Sequence, residues 1–289
     1  MPAEPPIELP RRLFEAYELL AAGAASGAAP TPIAGGTDLM VQISGELREP
    51  PVRMLDLSRI EELRGITLDR GALVIGARTT FTDIRRSTLC RERLPALVEC
   101  AATIGAAQIQ NRATLGGNIA NASPAGDTLP ILLATDATIL VGGQRGERRI
   151  AAGEFFIGYR QTALAPDELI LHVEIPLRVG RQVRFRKVGT RRAQAISKVV
   201  LAAAWRDAEG SGWSDVRVAL GSVAPTPIRA PATEAVLEGA LPTPEVADRA
   251  AEALAGEISP IDDVRSTAEY RRMVAARVLH RLLREAGGW

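Results

Sequence analysis

The sequence predicts an α+β protein with two domains. Before residue 176, short strand patterns alternate with helical patterns, whereas the segment Pro176–Gly180 is rich in turn-forming residues. After this break, three apolar strand patterns are followed by two helices that end the chain. We therefore predict a first domain at residues 1–177 and a second domain at residues 178–289.

The first domain begins with a predicted helix at residues 11–22. The apolar face of this helix consists of Leu13, Phe14, Tyr17 and Leu20. These positions have the spacing of an amphipathic helix, and Gly23 is the predicted end of the helix. The next apolar segment, Pro30–Ile33, is a predicted strand that leads into a glycine pair and then a further helical pattern.

The remaining elements of the first domain are short and closely spaced. Strands are predicted at residues 52–57, 72–77 and 168–175, helices at 79–86 and 94–104, and a helical turn followed by a strand at 131–141. We interpret the pair Gly142–Gly143 as a hairpin turn, since glycine is favoured at the centre of tight hairpins.

The second domain is predicted to place its strands before its helices. The predicted strands are Val183–Lys187, 195–205 and 216–223, with a turn at 208–212. One helix is predicted to begin at Thr243–Pro244, because proline is favoured at the first helical position. The last helix is predicted to begin at Ser266, where Glu269 completes a capping box, and to end at Gly287.

The composition excludes several classes of function. The chain has 289 residues and a formal net charge of +1, so nothing indicates a nucleic acid or a membrane surface as a partner. No apolar run is long enough to span a membrane, and the sequence shows no signal-peptide pattern. We therefore expect no membrane span and a cytoplasmic location.

Cysteine and histidine are both scarce. The chain contains only Cys90, Cys100, His172 and His280. This number is too small for a disulfide framework, and it leaves little for an iron–sulfur cluster, a zinc site or a Ser-His-Asp relay. If the protein performs redox chemistry, a bound organic cofactor must carry it.

Two glycine-rich segments carry the strongest functional signal. The first glycine loop, residues 33–38, contains Gly35–Gly36 between a predicted strand and a predicted helix. The second glycine loop, residues 114–118, contains Gly116–Gly117 and precedes several polar residues. Glycine allows a tight turn and a close approach to a ligand, and successive backbone N–H groups bind phosphate. Together the two loops predict a long phosphate-bearing cofactor held from two sides, although each alone could be a simple turn.

Three motifs resemble a known family. They are Ala34–Leu39, then Thr114–Ile119 with Ala122–Pro124 and Asp127, then Lys187–Gly189 continuing through Arg191–Ala193 to Ala195–Ser197. In this order they look like the flavin-binding medium subunit of the molybdenum hydroxylases, which include the xanthine dehydrogenases and the aerobic carbon monoxide dehydrogenases. The likeness extends over nearly the whole chain.

The resemblance implies both a fold and an assembly. It implies an FAD-binding domain of the vanillyl-alcohol-oxidase type, followed by a smaller α+β domain. It also implies an iron–sulfur small subunit with 2Fe–2S clusters and a large subunit with molybdopterin as partners. The two cysteines of this chain agree with clusters that lie elsewhere.

The same resemblance implies roles for individual residues. The FAD pyrophosphate would be held by Ile33, Ala34, Gly35, Gly36, Thr37 and Asp38. The ribityl and phosphate region would be held by Thr114, Leu115, Gly116, Gly117 and Asn118. Asp38 is also interpreted as a residue that stabilises the first helical turn, because its charge would repel phosphate.

Further implied roles concern the sugar and the flavin ring. Asp127 would accept a hydrogen bond from a sugar hydroxyl, or it would cap the helix before Leu129. Ile104 occupies the position of an aromatic residue that stacks on the flavin in animal xanthine dehydrogenases, and Ile196 would lie against the other face of the ring. Lys187 would lie near the flavin or its phosphates, or on a solvated strand edge. The family also carries a basic residue at the position of Arg217.

The resulting interpretation is the FAD subunit of a molybdenum hydroxylase. It would receive electrons from the iron–sulfur clusters of a partner and pass them to an external acceptor, with no acid–base catalytic side chain of its own. Two alternatives stay open at this point. One is a stand-alone FAD-dependent dehydrogenase, and the other is a non-catalytic nucleotide-binding or assembly protein.

Overall fold

The computed structural model describes residues 5–191, 194–208 and 212–289. Arg192 and Ala193 of the third motif lie outside the described residues, as does the centre of the turn predicted at 208–212. We call residues 5–176 the N-terminal region and residues 181–289 the C-terminal region.

The N-terminal region contains short strands and helices in alternation. Its strands are β1 (Ile7–Glu8), β2 (Thr31–Ile33), β3 (Met54–Asp56), β4 (Ile66–Asp69), β5 (Ala72–Gly76), β6 (Thr138–Gly143), β7 (Gly146–Ala151), β8 (Phe156–Gly158), β9 (Gln161–Thr162) and β10 (Leu169–Pro176). Its helices are α1 (Leu13–Ala25), α2 (Leu39–Ser44), α3 (Phe81–Arg86), α4 (Thr88–Arg93), α5 (Pro95–Thr103), α6 (Ala107–Gln110), α7 (Leu115–Asn121), α8 (Leu129–Ala134) and α9 (Ala152–Phe155).

Two sheets organise the N-terminal region. Strands β1, β3 and β2 form a small parallel sheet, and strands β4, β5, β10, β6 and β7 form an antiparallel sheet in that order. One face of the antiparallel sheet packs with α1 and β3, through Leu140, Leu169 and Leu171. Its other face packs with the helices between α3 and α8 in the main core. The central strands β6 and β10 are therefore buried on both faces, whereas the edge strands β4 and β7 are mostly exposed.

The C-terminal region is a sheet covered by helices. Its elements are β11 (Arg181–Val188), β12 (Val199–Ala208), β13 (Gly212–Gly221), β14 (Ile228–Arg229), α10 (Pro231–Leu237), α11 (Pro244–Glu257) and α12 (Ala268–Gly287). On β12, Val199, Leu201 and Ala203 face the helices. The alternate residues Val200 and Ala202 join the core of the N-terminal region. Burial on both sides explains the continuous apolar run of this strand.

Several local predictions were wrong, and each has a steric or hydrogen-bonding reason. Helix α1 continues through Gly23 to Ala25, and this glycine is required by packing instead, because a Cβ there would come within 2.7 Å of the Ala29 Cα. The pair Gly142–Gly143 belongs to β6, and the turn follows it. Helix α12 is capped by Thr267 rather than Ser266, since the Thr267 side chain accepts the Tyr270 N–H.

Candidate functional site

The candidate site is an open cleft of about 870 Å³ between the two regions. The first glycine loop forms one wall, and the segment from Ile104 to Asp127 forms much of the floor. The C-terminal region contributes Lys187, Ile196 and the residues around Ser222 and Asp263. This volume lies in the range of cofactor sites, which are commonly found at boundaries between domains.

The first glycine loop lines the cleft with a row of free backbone donors. Within the described chain, the N–H groups of residues 34–38 have no hydrogen-bond acceptor. The carbonyl groups on either side are used, because Ile33 accepts from Leu57 and Gly36 accepts from Met40. Gly36 has a φ of +72°, which turns the chain toward α2. Successive unpaired N–H groups of this kind can form a cradle for an anion, which we call the N–H cradle.

The two glycine loops touch each other at Gly35. A Cβ at this position would lie 2.2 Å from the carbonyl oxygen of Arg112 and 3.0 Å from the Cα of Ala113. The Arg112 side chain in turn donates to the Gly35 carbonyl at 3.3 Å. Gly35 is therefore required for contact between the loops, and this contact holds the first loop in position.

The second glycine loop differs from the first, because its backbone donors are not free. Its N–H groups are already paired, because Leu115 donates to Thr79 O, Gly116 to Ala77 O, Gly117 to the Thr114 hydroxyl and Asn118 to Thr114 O. Leu115 and Gly116 are buried behind the cleft wall, whereas Thr114, Gly117 and Asn118 line it. This loop therefore supports the cleft and does not offer a second row of free donors.

Two asparagines of helix α7 hold other parts of the cleft. The Asn118 carbonyl oxygen accepts from the Thr128 hydroxyl at 2.5 Å, which leaves its amide nitrogen available to a ligand. The Asn121 carbonyl oxygen accepts from Arg160 at 2.7 Å. Arg160 also lines the cleft and was missed by sequence reasoning, since its contact with α7 spans 39 residues.

Asp127 and Lys187 form a buried ion pair across the two regions. The Lys187 Nζ lies 2.6 Å from Asp127 Oδ2 and donates to the Thr103 carbonyl at 3.1 Å, and both side chains are only 9% exposed. The Ser197 hydroxyl donates to the other carboxylate oxygen of Asp127. Burial raises the pKa of Asp127, and the nearby Lys187 opposes that rise. Two alternatives are thus excluded: Asp127 does not cap α8, and Lys187 is not on a solvated edge.

Two aliphatic side chains of the cleft come from different regions of the protein. Ile104 comes from the N-terminal region, and Ile196 precedes β12 and is 60% exposed. The buried Gln110 amide donates to the carbonyl groups of Ala102 and Ile104, so it fixes the backbone at Ile104. Ile196 is therefore part of the cleft wall and not of a strand core.

The far end of the cleft is organised by Arg271, which sequence reasoning also missed. This buried guanidinium donates to the carbonyl groups of Lys198 and Ser222 and pairs with Asp263 at 2.7 Å. It thereby connects α12 to the loop that carries Ile196. Arg217, by contrast, lies outside the cleft lining and contacts Asp136 at 3.3 Å.

The remaining polar groups give no sign of metal binding. In the described ranges, no group of three or more His, Cys, Asp and Glu residues could hold a metal ion. Cys90 and Cys100 are both buried free thiols, and burial raises the pKa of each. A thiol with a raised pKa is poorly suited to bind metal. No helix among the described residues is long and apolar enough to cross a membrane.

Comparison with known families supports the cleft as a cofactor site. A family model described as the FAD binding domain in molybdopterin dehydrogenase matches residues 6–178. A second one, described as the CO dehydrogenase flavoprotein C-terminal domain, matches residues 184–286. These two matches together span almost the whole chain.

Individual proteins are similar to this chain over most of its length. The carbon monoxide dehydrogenase medium chain of Hydrogenophaga pseudoflava is 32% identical over 255 residues, which cover 88% of each protein. The xanthine dehydrogenase FAD-binding subunit of Escherichia coli O157:H7 is 31% identical over 257 residues, covering 88% of this chain and 87% of that one.

Solved structures share the fold. Carbon monoxide dehydrogenase from Hydrogenophaga pseudoflava, in a form lacking the Mo-pyranopterin moiety, has a chain that aligns with a TM-score of 0.91 and 31% identity. The alignment covers 97% of this chain and 96% of that chain. A chain of quinoline 2-oxidoreductase from Pseudomonas putida 86 also aligns with a TM-score of 0.91, at 25% identity. This alignment covers 99% of the present chain and 98% of that one. The predicted α+β fold, with a cofactor-binding part followed by a second part, is confirmed.

Proposed function

Because the chain belongs to the FAD-binding medium subunits of the molybdopterin-dependent dehydrogenases, we propose that it holds FAD in the cleft and carries electrons between a partner subunit and an external acceptor. The observation that carries this proposal is the row of unpaired N–H groups at residues 34–38. Such a cradle suits the pyrophosphate of a dinucleotide, and the cleft volume of about 870 Å³ suits an elongated ligand.

Different residues of the cleft would bind different parts of the cofactor. Residues 33–38 would hold the pyrophosphate, and the free amide nitrogen of Asn118 would donate to the ribityl or phosphate region. Ile104 and Ile196 would contact the two faces of the flavin ring. The ion pair of Asp127 and Lys187 has both its charges occupied, so we propose that it supports the cleft floor and joins the two regions.

FAD supplies the redox chemistry when bound, since it can accept and release electrons. The chain itself positions the cofactor, donates hydrogen bonds to its phosphates and shields part of the ring from water with aliphatic side chains. The Asp127 carboxylate is already paired, and neither histidine lies among the residues that line the cleft. We therefore assign no side chain of this protein to acid–base catalysis.

The partners are proposed from the family and from this chain's own cysteines. Cys90 and Cys100 are both buried, and two thiols cannot supply the ligands of two clusters. Iron–sulfur clusters and molybdopterin are therefore expected on small and large partner subunits. Electrons would enter from the clusters and leave to an acceptor that this chain does not identify. The cytoplasmic location stays a prediction.

The purified chain is expected to contain FAD bound without a covalent link. No histidine lines the cleft to serve as an attachment point, and the contacts described above are all non-covalent. A visible flavin spectrum that is fully released into the supernatant by acid precipitation is the expected result. A colourless folded chain that takes up no added FAD would favour a non-catalytic assembly protein.

The flavin of the isolated chain is expected to accept no electrons from an organic substrate. This expectation follows because the described residues contain no group of His, Cys, Asp and Glu that could hold a metal ion, and the iron–sulfur and molybdenum centres are expected on partner subunits. Substrate-driven bleaching of the flavin should appear only after the iron–sulfur and molybdenum subunits are added. Rapid bleaching without partners would contradict the subunit assignment and favour a stand-alone dehydrogenase.

A further inference from the structure

We propose that Arg160 binds the diphosphate of the dinucleotide beside the N–H cradle of the first glycine loop. This proposal deepens the proposed function and rests on it. Nothing in the motifs singled out Arg160, which belongs to the two-residue turn Tyr159–Arg160 between β8 and β9.

The charges that line the cleft support this role. Five cationic and three acidic side chains line it, and most of them are paired with one another. Lys187 is neutralised by Asp127, while Arg265 and Arg271 share Asp263. The pairs lie at the far end and on the floor. Among the described residues, the charged side chains of the lining without an ion pair are Asp38 of the first glycine loop, Arg48 and Arg160.

Of these two arginines, only Arg160 is held in place by a hydrogen bond. In the described chain Arg48 has no hydrogen bond or ion pair. Arg160 donates to the neutral carbonyl oxygen of Asn121 at 2.7 Å, so its position is fixed without an ion pair in the described chain. A cation that is anchored by a neutral group keeps its other N–H donors for an anion.

The backbone at Arg160 is consistent with a functional constraint. Its φ of +53° is a left-handed conformation that a residue with a side chain adopts at a cost of about 1 kcal/mol or more. Arg160 also lies close enough to Asp38 to lower the pKa of that carboxyl group, which burial raises. Arg160 is therefore near the N–H cradle, where it would offset both the Asp38 carboxylate and the incoming phosphates.

The test is a titration of the flavin-free full-length chain with FAD and, separately, with ADP, which shares the diphosphate. Arg160→Gln is expected to lower the affinity for each ligand by about tenfold to hundredfold, because a charge-assisted hydrogen bond is lost. Arg48→Gln removes the same charge from the same cleft without an anchored contact, and we expect less than about a threefold loss. Arg160→Lys should retain part of the affinity.

A second variant separates position from charge. Asn121→Ala keeps the arginine but removes its anchor, so an intermediate loss is expected with no change in the denaturation midpoint of the flavin-free chain. The proposal is overturned if Arg160→Gln lowers the affinity for FAD no more than Arg48→Gln does. It is also overturned if Arg160→Gln lowers the affinity for FAD but not the affinity for ADP. If the wild-type chain takes up no FAD, the cofactor assignment itself fails, and the role of Arg160 fails with it.

Discussion

Lys187→Met is expected to lower the free energy of unfolding by about 3–5 kcal/mol at neutral pH, because it leaves a buried carboxylate without its partner. Asp127 would keep only the Ser197 hydroxyl, and the Thr103 carbonyl would also lose a donor. The pair joins β11 to the loop before α8, so the cleft should open and FAD should bind more weakly. Chemical denaturation with and without FAD measures both effects.

The control variants for this pair are well defined. Arg281→Met breaks an exposed helical pair with Glu285, in which the arginine is 71% exposed, and it should cost about 0.5 kcal/mol or less. The double variant Lys187→Met with Asp127→Leu should recover much of the loss, since an apolar pair leaves no buried charge. A double variant as unstable as the single one would contradict this explanation.

The loss caused by Lys187→Met should also depend on pH. Burial already raises the pKa of Asp127 above its ordinary 3.8, and removal of Lys187 takes away the charge that opposes this rise. The unfolded chain then releases the proton at a lower pH than the folded chain, so stability falls as pH increases through this range. We expect a smaller difference from wild type in acid than at neutral pH. An equal difference at both would exclude ionisation of Asp127 as the cause.

Gly35→Ala is expected to lower the free energy of unfolding by about 1–3 kcal/mol and to weaken FAD binding by about tenfold or more. The new Cβ would lie 2.2 Å from the Arg112 carbonyl oxygen, and backbone atoms cannot rotate out of the way. The two glycine loops must separate, which moves the N–H cradle. Denaturation and FAD titration of the same preparation measure the two losses.

Two other glycines provide the comparison for Gly35. Gly153→Ala, in α9, meets nothing within 4 Å and should leave stability and FAD affinity unchanged. Gly117→Ala would meet only the Thr114 hydroxyl, at 3.0 Å, and should have a smaller effect than Gly35→Ala. If Gly117→Ala proved the more damaging variant, the second loop and not the first would be the critical contact.

Local patterns in the sequence were sufficient for much of the fold. The proline and threonine at the start of α11 and the strand at β10 are confirmed, because capping and alternation act over a few neighbouring residues. The glycine loops indicated a phosphate-bearing cofactor, and the motifs indicated the family. The division at residues 177 and 178, and the roles of individual site residues, stay predictions.

The sequence by itself determined the type of several elements, the two glycine loops and the family, all of which depend on residues close together or on motifs in order. Only the tertiary structure decided that Gly35 is the tight contact, that Asp127 is paired with Lys187 at a separation of 60 residues, and that Arg160 reaches Asn121. These contacts depend on how the two regions pack, and a side chain carries the same local pattern whether its distant partner is present or not. For that reason a charged residue on a strand could be read equally well as a solvated edge or as half of a buried pair.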